Sequence, residues 1–191
     1  MQLLIKEIRK KGRVLPGNVL KVDSFLNHQL DISLMEKIGR ELAERYKQEK
    51  VEKILTIESS GIAVACFVSK YLGYLPVVFA KKDNASNMSE QCYSSSAFSF
   101  TRNREFTIKV AKEFLDKNER ILIIDDFLAE GSAGLALLKI IRQAEAVSVG
   151  FGIVIEKGFQ NGRSKLESEG QRVESLAIIK EFVNNEVVFS S

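Results

Sequence analysis

The chain has 191 residues, 45% of them apolar and 28% charged, with a formal net charge of +3 at pH 7, which is the make-up of one globular domain over residues 1–191 with a core of its own. Acids and bases are interspersed, so no single-sign block points to nucleic acid or to a membrane surface. His28 is the only histidine, which leaves histidine-based zinc sites and Ser-His-Asp hydrolysis little to build on.

Residues 2–11 carry Leu4, Ile5 and Ile8 among charged side chains with Gly12 just beyond, a short amphipathic helix closed by a glycine cap. Residues 18–22 read as a brief strand, and the polar stretch through Asp23, Ser24, Asn27 and His28 as a turn in which Phe25 plugs the core. Ser33 with Glu36 forms a capping box for a helix running to about Lys50, with Leu34, Ile38, Leu42 and Tyr46 on one face. Residues 53–57 are the first core strand, followed by Glu58, Ser59, Ser60 and Gly61 and an apolar helix from Ile62 to about Leu72. Serine hydroxyls and Gly61 suit the close approach of an anion, and equally a plain turn. After Pro76, residues 77–80 form a third buried strand ending in Lys81 and Lys82, whose ammonium groups either meet an anion or are solvated at the strand end.

Residues 83–96 are polar and show neither helical nor strand period; loops of this length in compact domains are lids or disordered segments. Residues 98–101 and 106–110 alternate as strands and make a hairpin beside it. Next come Ile121, Leu122, Ile123 and Ile124, a branched apolar run that reads as a strand buried on both faces, inside a parallel sheet. Asp125 and Asp126 follow at its carboxyl end. An unpaired buried carboxylate costs several kcal/mol, so the strand must open there onto solvent or a ligand. Ala129, Glu130, Gly131, Ser132 and Ala133 then lead into a helix with an apolar stripe at 137, 138, 141 and 144. Backbone N–H groups in such a loop, with a helix N-terminus behind them, suit a phosphate, and small side chains let it reach the backbone. The carboxylates accept from vicinal hydroxyls. Phosphate beside a diol describes a ribose 5-phosphate.

Residues 146–155 form another buried strand ending at Glu156, Lys157, Gly158 and Phe159; Gly150 and Gly152 lie inside it and make no dinucleotide fingerprint, and no P-loop occurs. Leu166, Val173, Leu176, Ile178 and Ile179 give a short helix and a closing strand, with an edge addition through Phe189. Alternating strands and helices imply an α/β domain, a mostly parallel central sheet flanked by helices with its ligand site at the strand carboxyl ends. Cys66 and Cys92 have no paired spacing, and Cys66 reads as a small core residue. With no apolar run long enough to span a bilayer and no signal-peptide layout, a cytoplasmic protein is expected.

The stretch from Ile121 to Gly134 resembles the phosphoribosyl-pyrophosphate motif of type I phosphoribosyltransferases, departing from it at Ala129 and Ala133, where threonine is common. Together with the stretches from Asn18 to Gln29 and from Val154 to Phe159, it is similar to the bacterial members that act on xanthine, over about residues 1–180. The resemblance implies the type I fold with a small hood region, and a flexible lid loop at 83–96 that closes over the reactants and excludes water. It implies transfer of a 5-phosphoribosyl group from phosphoribosyl pyrophosphate to the purine, with Asp125 and Asp126 as the catalytic acids beside the sugar. Ala129, Glu130, Gly131, Ser132 and Ala133 then take the 5-phosphate, and Ser59, Ser60, Gly61 and Lys81 the pyrophosphate. Magnesium arrives with phosphoribosyl pyrophosphate, since the chain shows no carboxylate cage of its own. Lys157 donates to the purine O6, which rejects adenine; Asn27 is the candidate for reading C2, with Leu20 and Phe159 as walls against the ring. A homodimer is expected, with neither nucleic acid nor membrane as partner. Guanine or hypoxanthine as the main base is the alternative within the enzyme reading. Outside it stands a non-catalytic regulator that senses phosphoribosyl pyrophosphate and binds nucleic acid, although only about ten residues precede Gly12 and they carry no basic block.

Overall fold

The strands read from residue 53 onward form one sheet, and the order in which they lie fixes where a ligand can sit. The computed structural model describes residues 1–82, 91–99 and 104–190. Helix α1 (Gln2–Lys11) buries Leu4 and Ile8 and ends where the Gly12 N–H donates to the Ile8 carbonyl at 2.8 Å. Gly12 is in an extended conformation rather than the left-handed one expected of a cap; a Cβ there would lie 2.5 Å from that carbonyl oxygen. Strands β1 (Arg13–Leu15) and β2 (Val19–Lys21) pair as a small antiparallel ribbon turning at Gly17 and Asn18, both at positive φ; β1 was not expected. A π-helical turn, Asp23–Asn27, carries Phe25 and Leu26 into the core, each fully buried.

Helix α2 (Ile32–Tyr46) is capped by Asp31, whose carboxylate accepts from the Leu34 N–H at 3.1 Å. Ser33 therefore lies inside the helix, and the expected capping box gives way to a stronger carboxylate cap two residues earlier. The helix also stops at Tyr46 rather than near Lys50. Then come β3 (Lys53–Ile57), α3 (Ser60–Tyr71), β4 (Val77–Lys82), β5 (Cys92–Ser99), β6 (Arg104–Ala111), β7 (Arg120–Leu128), α4 (Ser132–Gln143), β8 (Val147–Lys157), α5 (Gly162–Ser168), β9 (Val173–Val183) and β10 (Glu186–Phe189). The sheet order is β10-β9-β8-β7-β3-β4-β6-β5, parallel from β9 to β4 and antiparallel at both flanks.

Strand alternation sorts the core into two layers. Ile54, Leu122, Ile124 and Val154 pack with Leu42 of α2 and Val64 and Val68 of α3. Leu55, Ile121, Ile123 and Ile153 pack with Leu137, Leu138 and Ile141 of α4 and Leu166 of α5. Each such side chain, withdrawn from water, stabilises the fold by roughly 1.5–3 kcal/mol before entropy is counted.

Three further expectations are corrected. Residues 92–96, read as part of a polar loop, lie in β5, where the β6 ladder satisfies their backbone without any apolar alternation; residues 83–90 of the expected lid lie outside the described residues. Strand β4 is not buried throughout. Only Ala80 is, and Phe79 is 38% exposed. Cys66 is exposed on α3 instead of packed in the core.

Candidate active site at the carboxyl edge of the sheet

β3 is followed by β4 on one side, and β7 returns on its other side, so the chain reverses its direction of spread between β3 and β7. In open parallel sheets the crevice at such a reversal is where ligands sit. Here the two loops after β3 and β7 meet. A Cβ built on Gly61, at the start of α3, would lie 3.3 Å from Asp125 Oδ1 and 2.2 Å from Thr56 Oγ1, so only a glycine lets α3 begin this close to the acid.

The two acids of β7 leave the strand on alternate faces, yet their carboxyl groups stay close enough to interact. Asp125 lines a cavity of about 200 Å³ together with Ile123, Ile153 and residues 127–134; Phe98 of β5 and Phe106 of β6 close it from the hairpin side. Asp126 is 6% exposed and turns toward the π-helical turn, where Asn27 Nδ2 donates to its Oδ2 at 3.3 Å. The Asp126 N–H donates to Asp125 Oδ1 at 2.9 Å, which fixes that carboxyl against the strand end. Burial, and then the Asp126 carboxylate beside it, push the Asp125 carboxyl well above the usual carboxylate range; the Lys82 charge acts weakly the other way.

The loop after β7 is held from below by α5. Gly162 N–H donates to the Ala129 carbonyl at 2.9 Å, and Lys165 Nζ lies 3.0 Å from both the carbonyl and a carboxylate oxygen of Glu130. Gly131 stands at φ 79° as the N-cap of α4, and a Cβ on it would be 3.0 Å from Gly162 Cα. Its need for glycine therefore comes from backbone conformation and from packing on Gly162. No side chain caps α4, so its first-turn N–H groups remain available to an anion. Ser132 Oγ accepts from the Phe98 N–H at 3.4 Å, tying the hairpin to the loop.

Ser59, Ser60 and Gly61 sit at the β3 side of the crevice, with Glu58 anchored by the Lys82 N–H at 2.6 Å. Lys81 is half-buried in β4, opposite Lys109 of β6. Lys157, the last residue of β8, reaches the ribbon turn, its Nζ donating to the Asn18 carbonyl at 2.9 Å; burial draws its ammonium below the ordinary lysine value. Leu20 is buried in β2, and Phe159 is 39% exposed with its ring edge-on to Phe182 at 5.5 Å. Leu20, Asn27, Lys157 and Phe159 do not line the cavity that Asp125 shares with the loop. They stand on the β1–β2 and π-turn side, joined to it through the Asn27–Asp126 bond. Phe98, Phe106, Gly162 and Lys165 were missed in the sequence. The aromatic pair had a signal in the alternation of 98–101 and 106–110; Gly162 and Lys165 had none, being more than 30 residues from the loop they hold.

A family model for the phosphoribosyl transferase domain matches residues 24–190. Xanthine phosphoribosyltransferase 1 of Clostridium perfringens is 52% identical over 189 residues, covering 99% of this chain and 100% of the relative. The xanthine phosphoribosyltransferase of Laribacter hongkongensis is likewise 52% identical over 189 residues, with the same coverage. Among solved structures, Giardia lamblia APRTase complexed with 9-deazaadenine superposes with a TM-score of 0.78 at 21% identity, over 92% of this chain and 96% of that one. The adenine phosphoribosyltransferase of Rhodothermus marinus does so at 0.74 and 20%, over 94% and 100%; at such identity the likeness is one of fold. By its match to the family over most of its length, and by relatives 52% identical over 189 residues, the chain belongs to the phosphoribosyltransferase family.

Proposed function

We propose that this chain transfers the 5-phosphoribosyl group of phosphoribosyl pyrophosphate to N9 of xanthine, releasing pyrophosphate and forming xanthosine 5′-monophosphate, a purine salvage reaction. The observation that carries the reading is the meeting of Asp125 and residues 127–134 on one cavity at the β3/β7 reversal. Xanthine as the base rests on the relatives, which bear that activity in their names at 52% identity. In this reading the α4 N–H groups and Ser132 take the 5-phosphate, and Ser59, Ser60, Gly61 and Lys81 face the pyrophosphate.

As the bond from C1′ to pyrophosphate oxygen breaks, its electron pair leaves with pyrophosphate and positive charge grows on the ribose until N9 bonds to C1′, the imidazole-ring N–H proton of xanthine passing to solvent or to the released pyrophosphate. Asp125 suits that moment. Its ionised form is disfavoured by burial in the free chain, so a cationic sugar beside it gains more than a neutral one does, and the gain is made in the transition state. Magnesium would be held chiefly by the phosphate oxygens of phosphoribosyl pyrophosphate with one or two carboxylates, and would there neutralise charge on the leaving pyrophosphate. Lys157 is the donor to the purine O6. Asn27 reads C2 while its bond to Asp126 links the base side of the site to the sugar side. Leu20 and Phe159 belong to the same base-binding side.

The same proposal takes residues 1–191 as one domain, which the single sheet running from β10 to β5 supports, and places the enzyme in the cytoplasm as a homodimer. A spectrophotometric assay with xanthine, guanine, hypoxanthine and adenine, each with phosphoribosyl pyrophosphate and magnesium, tests the reading. The expected order puts xanthine first in kcat/KM and gives no adenine nucleotide; turnover of adenine, or none of xanthine, would contradict it.

A further inference from the structure

Glu130 is an anomaly in a loop whose work is to receive a dianion. Glu130 is one of the residues lining the same cavity as Gly131 and Ser132, and an unopposed negative charge beside that loop would repel phosphate. Lys165, 35 residues later on α5, lies 3.0 Å from that carboxylate and 3.0 Å from the carbonyl oxygen of the same residue. The second contact also sets the direction of a peptide plane. The Glu130–Gly131 peptide is trans, so the Gly131 N–H points opposite the carbonyl, away from the ammonium. Gly162, three residues before Lys165, donates to the Ala129 carbonyl, so α5 holds two successive carbonyls of the loop.

We infer that Lys165 is a positioning residue for phosphoribosyl pyrophosphate: it neutralises the Glu130 carboxylate and turns the Glu130–Gly131 peptide so that the loop can receive the 5-phosphate. The inference rests on the functional reading above and adds to it a residue that does not touch the substrate. Its signature is dependence on Glu130. Removing the ammonium exposes a charge, and removing that charge as well restores the site.

The test is a double-mutant cycle on the full chain, reading phosphoribosyl pyrophosphate affinity by calorimetry with magnesium, KM and kcat in the assay, and Tm for each variant. Lys165→Met is expected to weaken phosphoribosyl pyrophosphate about tenfold, seen in KM with kcat little changed, while Lys165→Met/Glu130→Gln returns to within about threefold of the unaltered chain. An equal loss in the single and double variants would overturn the inference, since it would mean that Lys165 contacts phosphate itself or only supports the loop. Unchanged affinity in Lys165→Met would overturn it too. If the unaltered chain binds no phosphoribosyl pyrophosphate, the functional reading falls, and the inference with it.

Discussion

A carboxyl group that burial and a neighbouring charge both push toward protonation is costly to keep at Asp125, and that cost can be read as pH dependence. The ordinary value, 3.8, belongs to the unfolded chain, and the folded value lies above it. The stabilisation from the protonated group is therefore fully present below the unfolded value and lost as pH rises through the folded one. Asp125→Asn keeps an oxygen to accept the Asp126 N–H but carries no charge, so at neutral pH it should raise Tm. Near the unfolded value the difference should vanish. Turnover should fall about a hundredfold or more, since the lost charge acts where the ribose becomes cationic. Tm scans and kcat across pH check both halves; a less stable variant with intact turnover would mean the acid serves only the fold.

Lys157 makes the corresponding test on the base side. Its pKa is lowered by burial, so as pH rises its proton leaves before that of an ordinary lysine with a pKa of 10.5. The kcat/KM for oxopurines should fall along an alkaline limb that Lys157→Met lacks. That variant should also lose roughly ten- to a hundredfold in kcat/KM at neutral pH, the worth of a hydrogen bond from a charged donor. Asn27→Leu should instead change the ratio of xanthine to guanine efficiencies, and the loss of its bond to Asp126 makes some fall in kcat expected as well. A ratio unmoved by Asn27→Leu would place C2 recognition elsewhere. Gly131→Val meets a left-handed φ of 79° and the Gly162 backbone at once, so it should lower Tm and phosphoribosyl pyrophosphate affinity together; affinity lost at unchanged Tm would show that the phosphate alone needed the space.

Among the elements, α5 and the β5–β6 hairpin hold the site from opposite sides. α5 is seven residues long, too short to persist alone, and it is anchored by Arg163, whose guanidinium grips Glu156 in a two-pronged pair at 2.8 and 2.7 Å and reaches the Val173 carbonyl at 3.0 Å. Glu156 is 2% exposed and adjoins Lys157, so the same pair fixes the end of β8 and the helix beneath the loop after β7. Arg163→Met strands a buried carboxylate and should destabilise the chain by about 3 kcal/mol. Adding Glu156→Gln should recover much of that, as urea unfolding of both variants would report. The hairpin contributes Phe98 and Phe106 to the cavity and the Phe98 N–H to Ser132. Its first strand escaped the sequence because Tyr93, Ser94, Ser95 and Ser96 lack apolar alternation, and what holds them is a backbone ladder to β6 that composition does not display.

Over the whole molecule, what was legible was what local chemistry dictates. Four branched apolar residues before two acids and a small-residue loop announce a buried strand followed by a loop and a helix, and β7, residues 129–131 and α4 are that sequence of elements. The β3 strand and the loop before α3 were legible on the same grounds. Contacts joining distant parts of the chain were not: the return of β7 beside β3, Asn27 on Asp126, Lys157 on Asn18 and Lys165 on Glu130 are set by packing, and no spacing in the sequence encodes them. The opposed faces of Asp125 and Asp126 follow from strand alternation and could have been read. The central claim is that the β3/β7 reversal binds the phosphoribosyl group, and a crystal structure with xanthosine 5′-monophosphate tests it most directly. The expected result places the 5-phosphate on the N–H groups of residues 131–134, with the ribose hydroxyls within hydrogen-bond reach of Asp125 and Asp126. A nucleotide bound elsewhere, with that loop left empty, would contradict it.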